Sequence, residues 1–474
     1  MAVVIKTFST PGGLYVYDRG ANAILSVSSA EHLALQRIEA GIADNNDCEL
    51  LKRYIDQGYL QDSRIKEIEH PATTYMPFYL ENCMNQLTLQ VTQDCNLRCN
   101  YCIYGGMYGT QRIHSKKTMS FEMMKKCVDF IIARSRGVDE ICVSFYGGES
   151  FLEIDKIKAC VSYIKDKYKG RSVRYTTTTN GTLFNDEIIR FLDENGFATV
   201  ISIDGPRDLH NKNRVYANGR GSYDDIMENV QYIKKHYPKY YEKLSFTTVI
   251  APGIDFSCVS DFFSAEEILS DSNVNYSTVN KYGASNDLEY NDLYYTTRNY
   301  QMMKSLFAKI GLYSIKKTSK FFATSLADIE ILYANLSKTS VLEKSHPGGP
   351  CLPGAMRPFA DVDGNLFPCE RVSEGSIAMN IGHVDTGFDL KKIEDILNVG
   401  RLTEAECKSC WCFNFCGLCA AACDRNGKLC GEERLRHCYS EKYSSLDKLV
   451  AICLLLENKH DFNKFKDGEG KNYG

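Results

Sequence analysis

The stretch Leu87-Thr-Leu-Gln-Val-Thr-Gln-Asp-Cys-Asn-Leu-Arg-Cys-Asn-Tyr-Cys102 gives the strongest indication of the fold of this chain. Its apolar start predicts a β-strand over Gln86–Val91, and three cysteines, Cys95, Cys99 and Cys102, follow directly. The C-x3-C-x2-C spacing supplies three thiolates, whereas a closed structural zinc site or a closed [4Fe–4S] cluster uses four. Three ligands on a four-iron cubane leave one iron open to a substrate or cofactor. A zinc knuckle with a distant fourth ligand is the alternative.

The chain after this strand alternates strands with helices. Further strands are predicted at Ile141–Phe145, Val173–Thr179, Thr199–Ile203, Leu244–Ile250 and Val274–Val279. Helices are predicted at Ser120–Arg134, Ile154–Lys169, Asp186–Asn195 and Tyr223–His236. Such alternation is typical of an α/β fold with a parallel sheet, either a partial (β/α)6 TIM-like barrel or a doubly wound sheet. Both architectures place their sites at the carboxyl ends of the strands, where the cysteine loop lies.

Three more strand ends carry short motifs whose residue types are suited to binding a ligand. Tyr146-Gly147-Gly148-Glu149 ends the second strand, Thr179-Asn180-Gly181 the third, and Ser202-Ile-Asp204-Gly205 the fourth, with Arg214 further on. Each has an ordinary explanation, because a glycine pair is usual in turns and Asp204 could cap the next helix. Their order on successive strands indicates one shared site.

This series of motifs resembles the radical S-adenosylmethionine (SAM) superfamily. The resemblance implies that Cys95, Cys99 and Cys102 hold a [4Fe–4S] cluster whose open iron chelates S-adenosylmethionine. Reductive cleavage of that cofactor then yields a 5′-deoxyadenosyl radical, which abstracts a hydrogen atom from the substrate. The implied cofactor contacts are Tyr101, Gly147, Gly148, Glu149, Asn180, Ser202 and Arg214. Ser150 departs from the family, which usually has proline there.

Length and composition bound the class of protein. A chain of 474 residues suggests about three domains, and 44% hydrophobic with 24% charged residues is typical of globular proteins. The net charge of −4 argues against nucleic acid as a main partner. The absence of a long apolar run and of a signal-peptide pattern predicts a cytoplasmic protein without a membrane span. In a reducing cytosol, many of the 20 cysteines are then expected to bind metal.

A second group of cysteines lies near the end of the chain. Its spacing is Cys351-x12-Gly364-x4-Cys369, then Cys407-x2-Cys410-x5-Cys416, followed by Cys419, Cys423, Cys430 and Cys438. The pattern resembles the SPASM extension of radical SAM enzymes, which holds two auxiliary [4Fe–4S] clusters and would bring the total to three. The resemblance assigns Cys407, Cys410, Cys416 and Cys438 to the outer cluster and Cys351, Cys369 and Cys419 to the inner one. Cys423 and Cys430 are alternatives to Cys419 and Cys438.

The inner set lacks the cysteine that some relatives carry just before the position of Cys351. Its cluster therefore has either an open iron that binds a substrate thiolate or a ligand such as Cys423. Glu370 follows Cys369 directly and is a candidate catalytic base. A salt bridge from Glu370 to Arg371 or another neighbour is the alternative.

We expect five segments along the chain. Residues 1–78 are predicted to form an α+β unit of two strands and then two helices. This pattern resembles the winged-helix-like domain with which maturases of ribosomally made peptides bind a leader, and a stabilising cap is the alternative. The radical SAM core is predicted over 79–310, a helical linker over 311–350, the SPASM domain over 351–445, and a helix with a polar tail over 446–474.

This domain combination resembles sactipeptide and ranthipeptide maturases. The resemblance implies thioether crosslinks from cysteine sulfur to carbon in a ribosomally made, Cys-rich precursor peptide, with a flavodoxin or ferredoxin as electron donor. The alternatives are a peptide cyclase that forms carbon–carbon links, an anaerobic sulfatase-maturing (formylglycine-forming) enzyme, and an iron–sulfur electron carrier. The missing upstream cysteine and the N-terminal domain count against sulfatase maturation. The cofactor-binding fragments count against a carrier.

Overall fold

The computed structural model describes residues 3–44, 48–62, 64–285, 288–337, 342–347 and 351–462. Six parallel strands form its centre: Gln86–Thr92, Glu140–Gly147, Ser172–Thr179, Ala198–Ser202, Leu244–Ile250 and Asn273–Thr278, called here the first to sixth barrel strands. They lie side by side in chain order. Because a doubly wound sheet reverses its strand order, this order is that of a partial barrel, and the predicted α/β class is confirmed.

Helices cover the outside of this sheet. They are Phe121–Ala133, Ile154–Lys167, Asp186–Glu194, Arg207–Asn213, Tyr223–His236, Pro238–Tyr241 and Phe256–Ala265. As predicted, Ser120 caps the first of them, accepting a hydrogen bond from the Met123 N–H at 3.1 Å. The first barrel strand is buried from Leu87 to Thr92, as expected of a strand covered on both faces.

The C-terminal region continues the same sheet. Phe359–Ala360 pairs in parallel with the first barrel strand and antiparallel with Asn365–Phe367. Gly382–His383 and Gly387–Phe388 complete the sheet. The turn before the strand Asn365–Phe367 needs glycine, since Gly364 has φ +92° and an added Cβ would lie 2.7 Å from the Met123 sulfur. The strand that carries the cysteine loop is thus tied directly to the C-terminal region.

Short helices follow at Leu390–Leu397, Glu404–Lys408 and Gly431–Arg436, and then one long helix at Cys438–Glu457. The long helix runs across position 445, where a boundary was predicted. Its Leu449 and Cys453 pack against Phe8 and Tyr17 of the N-terminal sheet. The predicted polar tail after 462 lies outside the described residues.

The N-terminal segment is a three-stranded antiparallel sheet with two helices. Its strands are Ile5–Thr10, Gly13–Asp18 and Ala23–Val27, and its helices are Ser29–Glu39 and Lys52–Asp56, the second preceded by a 3-10 turn at Glu49–Leu51. The first strand was not predicted, because its buried residues Ile5 and Phe8 are three positions apart and do not alternate. The two predicted helices are present, and the second is only 5 residues long.

The remaining elements connect these regions. Glu67–Ile68 pairs with Lys344–Ser345, and the helix Met76–Asn82 precedes the barrel. Helix Phe322–Asn335 lies in the predicted helical linker, and helix Asp292–Lys309 lies at the end of the stretch predicted as the core. No helix in the described ranges has the length and apolar content needed to cross a membrane.

Candidate functional site

Three cysteines lie together in the loop after the first barrel strand. Cys95, Cys99 and Cys102 are close enough for electrostatic interaction, and burial is the main cause that raises the pKa of Cys95 to about 12. Buried thiols of this kind become thiolates only beside a cation such as bound metal. Within the described ranges, no three Cys, His, Asp or Glu side chains are arranged to hold a single metal ion. Three soft sulfur donors fit a cluster with one open iron.

The glycine pair of the second barrel strand holds the backbone of this loop. The Gly148 N–H donates to the Thr92 carbonyl at 2.9 Å, and the Glu149 N–H donates to the Asp94 carbonyl at 2.8 Å. A Cβ on Gly148 would overlap the Asp94 carbonyl oxygen, and one on Gly147, at φ +149°, would overlap that of Thr92. The pair is therefore required for close packing of one backbone on another. Its predicted cofactor contact stays a prediction.

Glu149 and Asn180 connect the next two strand ends to the loop. The buried Glu149 carboxylate accepts hydrogen bonds from the Thr179 hydroxyl and the Asn180 N–H, both at 2.7 Å. The Asn180 side-chain amide donates to Asn96 Oδ1 at 2.7 Å and lies 3.9 Å from the Cys95 sulfur. Both predicted residues thus lie next to the cysteine loop.

A buried ion pair lies on the other side of the loop. Asp204 is 1% exposed, accepts a hydrogen bond from the Tyr101 hydroxyl, and lies 3.2 Å from Arg214 Nε. Arg214 Nη1 lies 4.0 Å from the Cys99 sulfur. Ser202 is buried at the end of the fourth barrel strand, just before Asp204. Sequence reasoning named Tyr101 and Arg214 as cofactor contacts but missed that Asp204 joins them, although the Ser-x-Asp-Gly fragment contains it.

Sequence reasoning also missed a second, partly buried pair, Arg112–Glu374. Arg112 Nε donates to both carboxylate oxygens of Glu374 at 3.0 Å, and its guanidinium lies 3.5 Å from the centre of the Tyr104 ring. Gln90 of the first barrel strand donates to the same carboxylate at 2.7 Å. Arg112 and Glu374 are 262 positions apart in sequence and belong to no motif, so only the fold brings them together.

Glu370 lies in the C-terminal region beside the barrel interior. One carboxylate oxygen pairs with Arg357 and lies 3.8 Å from Arg371 Nε, so the salt bridge considered as an alternative is present. The other oxygen is buried and has no hydrogen-bond partner among the described residues. Burial raises the pKa of Tyr146, and the charges of Glu370 and Cys102 raise it further. Glu370 is therefore near the barrel residues that surround the cysteine loop.

The C-terminal cysteines lie in groups whose members act on one another electrostatically. Burial raises the pKa of Cys369 to about 12, and the neighbouring thiols of Cys351 and Cys419 contribute. The structure also brings together Cys407, Cys410 and Cys438. Arg434 Nη2 lies 3.8 Å from the sulfur of Cys416, close to this second set.

Cys423 interacts with Cys416, Cys419 and Cys430, so it lies between the two sets. The Cys412 thiol instead donates to the Ser445 hydroxyl at 3.1 Å. The ligand sets, including the choice between Cys419 or Cys438 and their alternatives, stay predictions.

A cavity opens between the loop after Cys102 and the C-terminal region. Its volume is about 30 Å3, which is room for a few water molecules. The lining includes Ile103, Tyr108, Asn280, Tyr282, Arg371 and Ala421. Residues from the barrel and from the cysteine-rich region therefore share one opening.

Comparison with known proteins identifies the class of this fold. Residues 89–264 match the family model of the radical SAM superfamily. This region is therefore a radical SAM domain. Membership of this superfamily implies a [4Fe–4S] cluster and S-adenosylmethionine as cofactors. The chain is also similar to anaerobic sulfatase-maturating enzymes.

One relative is the serine-type anaerobic sulfatase-maturating enzyme of Bacteroides thetaiotaomicron, 31% identical over 35% of this chain and 39% of the relative. Another is the cysteine-type enzyme of Clostridium perfringens, 24% identical over 72% of this chain and 89% of the relative. The chain spans about two fifths of the length of the first curated relatives it matches. A solved structure, native anSMEcpe with bound AdoMet and Kp18Cys peptide, has a TM-score of 0.57 at 18% identity. That match covers 79% of this chain and 99% of the other, and it supports the fold.

Proposed function

We propose that this protein is a radical SAM peptide maturase that forms thioether bonds from cysteine sulfur to carbon. One observation carries the proposal: the thiols of Cys351, Cys369 and Cys419 are close enough to act on one another, and Glu370 acts on the first two. A cluster on three protein thiolates has an iron free for a substrate thiolate. Glu370 acts electrostatically on Cys351 and Cys369, and one of its carboxylate oxygens has no hydrogen-bond partner among the described residues. Such a carboxylate suits a base that removes the thiol proton.

The cofactors of this proposal are S-adenosylmethionine and three [4Fe–4S] clusters. When bound, they would supply the radical that removes a hydrogen atom from carbon and the acceptor for the electron released as the C–S bond forms. Cys95, Cys99 and Cys102 would hold the first cluster, and the two C-terminal cysteine sets would hold the others. Glu149 and Asn180 would orient the cofactor, and the buried walls around Tyr104 and Tyr146 would exclude water.

The partners belong to the same proposal. The relative solved with bound peptide supports a peptide substrate here, and a small cavity beside Tyr282 and Arg371 lies between the cysteine loop and the C-terminal region. The three-stranded N-terminal sheet would bind the leader of a ribosomally made precursor as an added strand. A flavodoxin or ferredoxin would deliver electrons.

Sulfatase maturation is the second candidate. The observation that favours it is the similarity to the cysteine-type enzyme of Clostridium perfringens along 89% of that relative. In that reaction the substrate side chain becomes an aldehyde, whereas thioether formation keeps the sulfur and consumes the thiol without making a carbonyl.

One anaerobic assay separates the two reactions. Reduced enzyme with S-adenosylmethionine is incubated with a Cys-rich precursor peptide and, separately, with a sulfatase-derived cysteine peptide. We expect the precursor to lose two hydrogens per crosslink, to resist thiol alkylation and to react with no hydrazide probe. An aldehyde on the sulfatase peptide, together with an unchanged precursor, would contradict the proposal in favour of the second candidate.

The variant Glu370→Gln tests the proposed base. We expect crosslink formation to fall about a hundredfold, because one positioned base contributes that order of rate, while 5′-deoxyadenosine is still produced. The matched control is Glu432→Gln, an exposed glutamate of the same region, which should leave both rates unchanged. Equal loss of crosslink and 5′-deoxyadenosine in Glu370→Gln would show that Glu370 acts on the cofactor site or on folding instead.

A further inference from the structure

Arg434 is a fully buried cation that has no carboxylate partner among the described residues. It lies in the helix Gly431–Arg436 with 0% of its surface exposed. Its Nε and Nη1 atoms are buried and make no hydrogen bond in the described part of the chain. No carboxylate within the described ranges forms an ion pair with it, although Glu433, its neighbour in sequence, pairs with Arg425 and Arg436. Burying a guanidinium without an ion pair strongly destabilises the folded protein unless an anionic group nearby compensates its charge.

Sulfur atoms surround this guanidinium instead. Nη2 lies 3.8 Å from the sulfur of Cys416, and Cys407 and Cys423 are close enough to act on it electrostatically. The Cys438 thiol lies 3.9 Å from the Arg434 carbonyl oxygen. Neutral thiols would not compensate the charge. Thiolates on a four-iron cubane would, because such a cluster carries a net negative charge that increases on reduction.

The structure points to one role for Arg434. We propose that it is the internal counter-ion of the outer auxiliary cluster held by Cys407, Cys410, Cys416 and Cys438, donates N–H···S hydrogen bonds to it, and raises its reduction potential. This proposal rests on the proposed function only for the presence of that cluster. Net charge and hydrogen bonds to sulfur are among the factors that set the potential of an iron–sulfur cluster. Because reduction adds negative charge, a fixed cation favours the reduced form.

The test uses the full chain with Cys95, Cys99 and Cys102 replaced by alanine, so that the auxiliary clusters are measured alone. Arg434→Met, Arg434→Lys and Arg436→Met are introduced into this background. Arg436 lies on the same short helix but is 67% exposed, which makes it the matched control. Iron content and EPR-monitored redox titrations are recorded for each protein.

We expect Arg434→Met to make reduction of one auxiliary cluster at least tenfold less favourable, a shift of 59 mV for a one-electron couple. The potential in Arg434→Lys should shift less, and that in Arg436→Met should not change. If Arg434→Met instead loses about four iron atoms, retention of that iron by Arg434→Lys would equally support a counter-ion.

Three results would overturn the proposal. They are an unchanged potential at full iron content in Arg434→Met, loss of the same iron from both Arg434 variants, or a background protein without iron. The background does not cleave S-adenosylmethionine, so these results are independent of peptide modification. Failure of the proposed function would appear separately, as wild-type protein with auxiliary clusters but no crosslinked product.

Discussion

Replacing Gly148 by alanine is expected to abolish iron binding by Cys95, Cys99 and Cys102 and, with it, cleavage of S-adenosylmethionine. The Gly148 N–H and the Glu149 N–H bond to the carbonyls of Thr92 and Asp94, so two strand ends are held backbone to backbone. A methyl group would overlap the Asp94 carbonyl oxygen, and a backbone atom has no rotamer by which to move aside. The loop would have to shift, and a shift of about 1 Å is enough to spoil a site of this kind.

Gly109→Ala is the matched control for this experiment. Gly109 lies in the loop after the third cysteine, and an added Cβ there would meet nothing within 4 Å. Both variants are reconstituted anaerobically and assayed for iron and for 5′-deoxyadenosine. We expect Gly148→Ala to lose about four iron atoms of the wild-type content and Gly109→Ala to lose none. Full iron and normal 5′-deoxyadenosine production in Gly148→Ala would show that the loop tolerates the displacement.

The barrel was predictable because its signals are local. The strands are short, the four predicted helices have a 3.6-residue period, and the first four strand ends each carry a motif, as with Glu149 and Asn180. The N-terminal strand Ile5–Thr10 escaped prediction because its sheet buries it at irregular positions. This segment forms a strand because it pairs with Gly13–Asp18, and its own residue pattern does not indicate that pairing.

The candidate site was predictable in its residues but not in its contacts. Glycine pairs and cysteine spacings can be read from sequence, whereas Glu374 and Asp204 each have a partner from a distant segment. Arg112 reaches Glu374 across 262 positions, and Gly148 turned out to support the cysteine loop directly. Arg434 shows the same limit, since nothing in its local sequence indicates that it is buried without a carboxylate. Burial and partnership are properties of the fold.

The second large effect is expected from Asp204→Asn. This change removes the carboxylate that pairs with Arg214 and leaves a buried guanidinium beside Cys99 without its counter-charge. Breaking a buried pair from one side costs about 3–5 kcal/mol. A loss of ~1 kcal/mol lowers the thermal midpoint of a domain of this size by about 2–4 °C. The thermal midpoint of the barrel should therefore fall by about 10 °C.

Two further variants make this prediction specific. Asp224→Asn breaks the exposed pair with Arg207, whose side chains are 44% and 62% exposed, and it should cost less than ~1 kcal/mol. The double variant Asp204→Asn with Arg214→Met removes both buried charges, so it should be more stable than Asp204→Asn alone. Thermal unfolding of all four proteins without iron checks both statements. A double variant no more stable than the single one would mean that Asp204 acts through its hydrogen bond with Tyr101 and not through the charge of Arg214.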